Sequence, residues 1–230
     1  MKIVKAFLLV AVAVLIGLAP IEAGATAQLS LAVTGGSSVT ILDQGAGDTN
    51  ALVGVVGYSG TLDSWLVNVS TGITKPVLGS ATLPNMDLNS VNVSSNAATA
   101  TQIGITFFDP DFLNSTGLGF NLSADIGGTT NGSLLYYYGY NNANLPYGTL
   151  VGTVGPFSGG AFSGSATDFI NPVSPFSLTQ QIIIDHAAGT HGTSFDAALT
   201  GTPVPEPGTM MLLGSGLVGL AGWGRKKFRK

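Results

Sequence analysis

Cysteine is absent from all 230 residues, so no disulfide or thiolate metal centre can hold this chain together. Its stability has to come from packing alone. Basic residues are nearly as scarce: of eight Lys and Arg, two stand at Lys2 and Lys5 and five fall within the last six positions, which leaves Lys75 alone between them. Glu does not occur from Gln28 to Pro203, where ten Asp face that single Lys for a net charge of −9. A surface of that sign repels polyanionic nucleic acid, and nucleic acid is excluded as a partner. It suits solubility outside the cell or association with divalent cations. A sustained 3.6-residue apolar stripe is also missing between Gln28 and Pro203, which excludes a helical body.

Both ends of the chain read as addresses. Lys2 and Lys5 precede an apolar run from Ala6 to Leu18, and Pro20 breaks it ahead of Ala23-Gly24-Ala25-Thr26-Ala27. A basic start, a short apolar segment and small residues at the end make a secretory signal peptide, with export machinery and signal peptidase as partners. Two overlapping A-x-A sites end at Ala25 and Ala27. Cleavage after Ala27 is expected, so residues 1–27 form the signal and Gln28 opens the mature chain.

At the other end, Val204-Pro205-Glu206-Pro207 leads into Gly208 to Trp223 without a charge, and then into Arg225-Lys226-Lys227-Phe228-Arg229-Lys230. An apolar helix followed by a basic stop fits insertion with the C-terminus in the cytoplasm. Sixteen residues reach only about 24 Å against a hydrocarbon core of roughly 30 Å. A transmembrane helix over 208–223 is therefore a marginal, temporary anchor in the inner membrane. This arrangement resembles the PEP-CTERM sorting signal of Gram-negative bacterial surface proteins. The resemblance implies that the membrane-embedded transpeptidase exosortase recognises Pro205, Glu206 and Pro207 and releases the body. It also implies that Arg225, Lys226, Lys227, Arg229 and Lys230 set topology.

The body, residues 28–200 with a polar linker at the head of 201–230, is expected to be one domain. Its apolar residues recur at period two, with Gly, Asn, Asp or Pro every eight to twelve positions: Trp65 and Val67, Val91 and Val93, then Ile103, Ile105 and Phe107. That pattern predicts an all-β, single β-sandwich of jelly-roll-like type. Further strands are expected near 29–33, 39–42, 52–58, 118–123, 134–140, 149–154 and 161–166. Phe176 to Ile184 and Phe195 to Leu199, around a loop over 187–192, read as a closing hairpin. The stretches Leu78 to Ser95 and Phe176 to Ala197 also resemble small proteins that carry the same sorting signal.

Candidate chemistry inside the body is sparse. His186 and His191 flank a Gly-containing loop, and zinc would need three or four converging ligands, so both are expected on a solvated hairpin. Asp109 and Asp111, either side of Pro110, are weak calcium candidates on a turn, although the spacing lacks the D-x-[DN]-x-[DN]-G pattern. A G-x-S-x-G elbow is absent, and no cofactor is implied. Tyr136, Tyr138 and Tyr140 share one face by alternation. With neighbouring Asn side chains they are candidate glycan contacts, since aromatic faces stack on sugars; a half-buried strand gives the same pattern.

The reading that follows is a non-enzymatic exported protein, sorted to the cell surface or an extracellular matrix. Its role would be structural or adhesive in exopolysaccharide or biofilm. A carbohydrate-binding module is the alternative, and a secreted hydrolase the third.

Overall fold

The structure is a computed structural model that describes residues 26–205 and 207–227. The body is built from β1 (Gln28–Val33), β2 (Ser38–Leu42), β3 (Val55–Leu62), β4 (Trp65–Ile73), β5 (Asn85–Ala97), β6 (Thr101–Phe112), β7 (Phe120–Asn141), β8 (Thr149–Ile170), β9 (Phe176–His186) and β10 (Gly189–Pro203). Every pairing is antiparallel, in the order β2-β1-β6-β9-β7-β10-β5-β4-β3, with β8 along β7. One helix, α1 (Pro207–Lys227), follows. The all-β sandwich expected from period-two patterning is the fold that forms.

One hydrogen-bonded sheet becomes two layers because β7 belongs to both. Residues 120–130 of β7 pair with β10, whereas residues 133–141 pair with β9. The first layer is therefore β2-β1-β6-β9 with the second half of β7, and the other is β3-β4-β5-β10 with the first half. Two glycines permit the change of neighbour. A Cβ on Gly128 would collide with the Ser194 carbonyl of β10, and one on Gly132 with the Asp185 carbonyl of β9. Where sequence suggested separate strands at 118–123 and 134–140, β7 is thus one strand of 22 residues, bent at its glycines. The runs at 149–154 and 161–166 likewise merge into β8, because its register on β7 resumes after a bulge.

The core lies between the layers. Leu29, Leu31, Trp65, Val67, Met86, Leu88, Val91, Ile103, Ile105, Phe107, Leu122, Tyr136, Phe176, Leu178, Ile182 and Ile184 are fully buried there. Each large apolar side chain so placed contributes about 1.5–3 kcal/mol. The alternation read from sequence holds: Trp65 and Val67 face in, and Leu66 between them is exposed. β6 is the exception, being buried on both faces from Ile103 to Pro110. Its outer face is overlaid by the 142–148 segment, whose Tyr147 hydroxyl donates to Thr106 Oγ1 at 3.3 Å.

Two sequence expectations are corrected. The hairpin of Phe176–Ile184 with Phe195–Leu199 does not form; β9 pairs with β6 and β7, and β10 with β5 and β7. Only Ala187 and Ala188 separate them, too short a link for the expected loop but enough to carry the chain from one layer to the other. Nor is Thr200–Pro203 a linker. It is the end of β10, with Thr202 opposite Asn121, Gly201 N–H donating to the Pro84 carbonyl at 2.9 Å and Val204 N–H donating to that of Gly119 at 3.0 Å. The body therefore runs through residue 203 rather than 200.

Candidate functional site

Polar side chains sit inside the sandwich as well as on it. His186, at the end of β9, is 1 % exposed, not solvated as its Gly-containing surroundings suggested. Its ring stacks on Trp65 of β4 at 4.5 Å between centroids. Nδ1 lies 2.7 Å from Ser95 Oγ, and Nε2 lies 2.9 Å from Thr193 Oγ1, which lies 2.7 Å from Thr130 Oγ1. Burial pushes the imidazole down to about 4, with His191 adding to the effect and Asp185 opposing it. The neutral ring can donate from one nitrogen and accept at the other, which suits a relay of hydroxyls. Both nitrogens are engaged, so the ring fastens the layers together. Among the described residues no group of three or more His, Cys, Asp or Glu converges to hold a metal ion.

Asp109 and Asp111 are separated by their own strand. They occur within β6 at a bulge, where the four residues from Asp109 to Phe112 match the three from Leu178 to Phe176 on β9. Asp109 points inward and is 3 % exposed; it accepts from Lys75 Nζ and from Thr74 Oγ1, each at 2.6 Å. Burial raises its carboxyl, opposed by the charge of Lys75. Asp111 faces solvent in a left-handed conformation (φ 61°) and pairs with Asn144. The calcium reading is corrected on this geometry, because Asp109 is already neutralised by the sole cation of the body.

Tyr136 and Tyr138 are core residues, 0 % and 1 % exposed, and Tyr140 is packed against the same core. The Tyr136 hydroxyl donates to Gln180 Oε1 at 2.8 Å, and the Tyr138 hydroxyl donates to Asp168. Tyr136 and Tyr138 leave no ring face open to a sugar, so the candidate glycan contact is corrected for them, and their alternation is that of a half-buried strand; Tyr140 is partly buried. Tyr137, on the other face, lies in a cross-strand row with Gln181, Thr106, Ser30 and Thr40. With Tyr147, Leu150 and Thr179 it lines a narrow cleft.

The outer face of the other layer carries an arrangement that sequence reading passed over. Asp87 of β5, Asp125 of β7 and Asp196 of β10 line an open groove of about 450 Å³ with Ser163 and Ser165 of β8. Ala198 lies opposite both Asp87 and Asp125, and Gly127 opposite Asp196. Desolvation raises the Asp87 carboxyl, Asn89 opposes that, and the charge of Asp196 adds to it. The signal was present in the parity: each Asp sits between two buried apolar residues, Met86 and Leu88, Ala124 and Ile126, Phe195 and Ala197. All three were bound to face outward together. Chemically the groove accepts hydrogen bonds from hydroxyls and attracts cations.

The sorting residues extend from the last strand. Val204 is tied to Gly119, Pro205 is exposed, and α1 begins at Pro207. Ala25, Glu206, Arg229 and Lys230 lie outside the described residues, as does the signal segment up to residue 25; Arg225, Lys226 and Lys227 end α1. A family model described as the PEP-CTERM protein-sorting motif matches residues 203–226. This tail is a PEP-CTERM sorting motif. The PEP-CTERM segment thus begins at the last residue of β10, with no spacer between body and signal. No helix among the described residues is long and apolar enough to cross a membrane. The apolar run over 208–223 is short, and Gly208, Gly214, Gly216, Gly219 and Gly222 dilute it further.

No curated protein matches the chain. Among solved structures it is similar to a carbohydrate-binding module, TmCBM27, described for specific mannan recognition, at 12% identity over 62% of this chain and 90% of that one, with a TM-score of 0.30. It is also similar to TmCBM61, solved with β-1,4-galactotriose, at 9% identity over 60% of this chain and 88% of that one, again at 0.30. Superpositions this loose transfer no site.

Proposed function

We propose that this is an exported protein, processed by an exosortase-type system and delivered to the cell surface or an extracellular polymer matrix, where the sandwich acts as a structural or adhesive unit. The observation that carries the reading is the PEP-CTERM motif at 203–226, placed directly after the last strand. Val204 and the exposed Pro205 set the processing element just beyond a folded body, and each proline biases the residue before it away from helical geometry. Residence of α1 in the inner membrane is brief on this reading. The helix holds only while the bilayer thins or its flanks snorkel, and Arg225, Lys226 and Lys227 keep the end cytoplasmic.

The test is mass spectrometry of the C-terminus from membrane and external fractions. Replacing Pro205, Glu206 and Pro207 with alanines should retain the unprocessed chain in the membrane. Release and trimming like wild type would remove the basis of the reading.

A second reading, binding of exopolysaccharide, is favoured by the groove of Asp87, Asp125 and Asp196, whose carboxylates can accept from sugar hydroxyls. Polysaccharide co-sedimentation lost on Asp125→Asn with Asp196→Asn would support it, and unchanged binding would remove the groove from consideration.

A further inference from the structure

The three outer edges of the sheet are not equally protected. An unpaired edge is a template for another strand, and proteins blunt it with short strands, charge, proline or a covering loop. β2 is only five residues long. β3 is covered: Asp48 Oδ1 accepts from Gly57 N–H at 2.9 Å, and Thr49 N–H donates to the Gly57 carbonyl at 3.1 Å, so both backbone groups of Gly57 on the free side are taken. β8 has neither device. It is 22 residues long, pairs only with β7, and among the described residues its backbone makes no other hydrogen bond. Its middle is broken at Pro156, Gly159 and Gly160, the two glycines having φ of 62° and 94°. From Ala161 to Phe169 it runs unbroken, about 30 Å at roughly 3.3 Å per residue.

The charge of this edge indicates what it can accept. Residues 126–167 contain no Asp, Glu, Lys, Arg or His, the longest such stretch in a body that otherwise carries ten Asp and one Lys. Over most of its surface one copy repels another, whereas from Ala161 to Phe169 β8 itself contributes one charge, Asp168. The solvent-facing side chains are Ala161, Ser163, Ser165, Thr167 and Phe169, small apart from the last, which is 59% exposed. Two such strands related by a two-fold axis run antiparallel, place their Asp168 carboxylates toward opposite ends, and close the edge on itself.

We propose that the Ala161–Phe169 edge of β8 is a self-association surface, on which a second copy of this chain adds its own β8 antiparallel to continue the sheet into a dimer. Closure by a two-fold leaves β2 and β3 as the outer edges of the pair, one short and one covered, so assembly stops at two. The inference is independent of the sorting motif.

The absence of cysteine makes the test direct. In the full chain, purified in mild detergent, Ser163→Cys, Ser165→Cys and Thr167→Cys each introduce a single thiol; Thr61→Cys on the covered β3 edge is the control. Mild oxidation should give a cross-linked dimer for at least one β8 variant and none for Thr61→Cys. Sedimentation should show two copies for wild type and one for the Ser163→Lys, Thr167→Lys double variant, with an unchanged melting temperature. A single-copy wild type, a dimer that survives the paired lysines, or cross-linking at Thr61→Cys equal to that on β8 would overturn the proposal.

Discussion

Trp65 and His186 stack across the two layers with their ring centroids 4.5 Å apart, and the same imidazole is held between Ser95 and Thr193. Burial of this imidazole should make the body acid-sensitive. Folding pushes His186 from 6.5 down to about 4. The unfolded chain therefore takes up the proton first. The contribution is intact above pH 6.5, is lost progressively as pH falls to about 4, and is gone below. The full loss is about 3 kcal/mol. Thermal melts of wild type and His186→Gln across that window should show a steeper fall for wild type; parallel curves would mean that the imidazole takes up its proton without cost to the fold.

Lys75, half-buried, and Asp109, buried, form an ion pair at 2.6 Å, with the ammonium 4.0 Å from the centre of the Phe112 ring. Removing one partner from such a pair costs about 3–5 kcal/mol, because the other is left charged and unsatisfied. Lys75→Met alone should lower the denaturation midpoint strongly, and Asp109→Leu added to it should restore part of the loss. Equal stability of the single and double variants would show that Asp109 becomes protonated without penalty.

The fold class was legible in the sequence where one face of a strand is wet and the other dry, because burial then repeats every second residue. Trp65 and Val67, or Val91 and Val93, advertise their layer this way. Three things were not legible, each for a physical reason. β6 is buried on both faces, so Thr106 gave no hint that Tyr147 reaches it. The switch of β7 from β10 to β9 depends on close backbone approach at Gly128 and Gly132, which local pattern reads as a turn. His186 looked like a surface residue because its partners, Ser95, Trp65 and Thr193, are distant in sequence or uninformative as residue types. The sorting motif was legible because Pro205, Glu206, Pro207, the Gly-rich run and the basic end follow one another in sequence and need no tertiary contact to be seen.

Tyr138 separates a core role from a ligand role. Its ring is buried and its hydroxyl is fixed by Asp168 across the β7–β8 pair. Tyr138→Ala should cost about 3–5 kcal/mol through the cavity it leaves. The measurement is the urea midpoint with the slope held constant. A variant as stable as wild type would place the ring outside the core and reopen a binding role for it.

The last prediction concerns the first cleavage, where the structure revises the bond expected from the leader alone. Ala23-Gly24-Ala25 and Ala25-Thr26-Ala27 both satisfy a small-x-small rule, and the second would give Gln28 as the N-terminus. Ala27, however, belongs to the body: it is 4% exposed within the core, and its carbonyl accepts from Asp43 N–H at 2.9 Å. Asp43 is itself structural, since its Oδ2 accepts from Gly54 N–H at 2.8 Å where the chain enters β3. Cutting after Ala27 would remove the side chain from the core and leave a charged terminus at the head of β1. Cutting after Ala25 spares both contacts. N-terminal sequencing of released material should therefore begin at Thr26. Replacing Ala23 with a bulky residue removes the first site alone, and should force processing to the second and lower the melting temperature of whatever is released, whereas a wild-type terminus at Gln28 with unchanged stability would show that Ala27 contributes nothing to the mature fold.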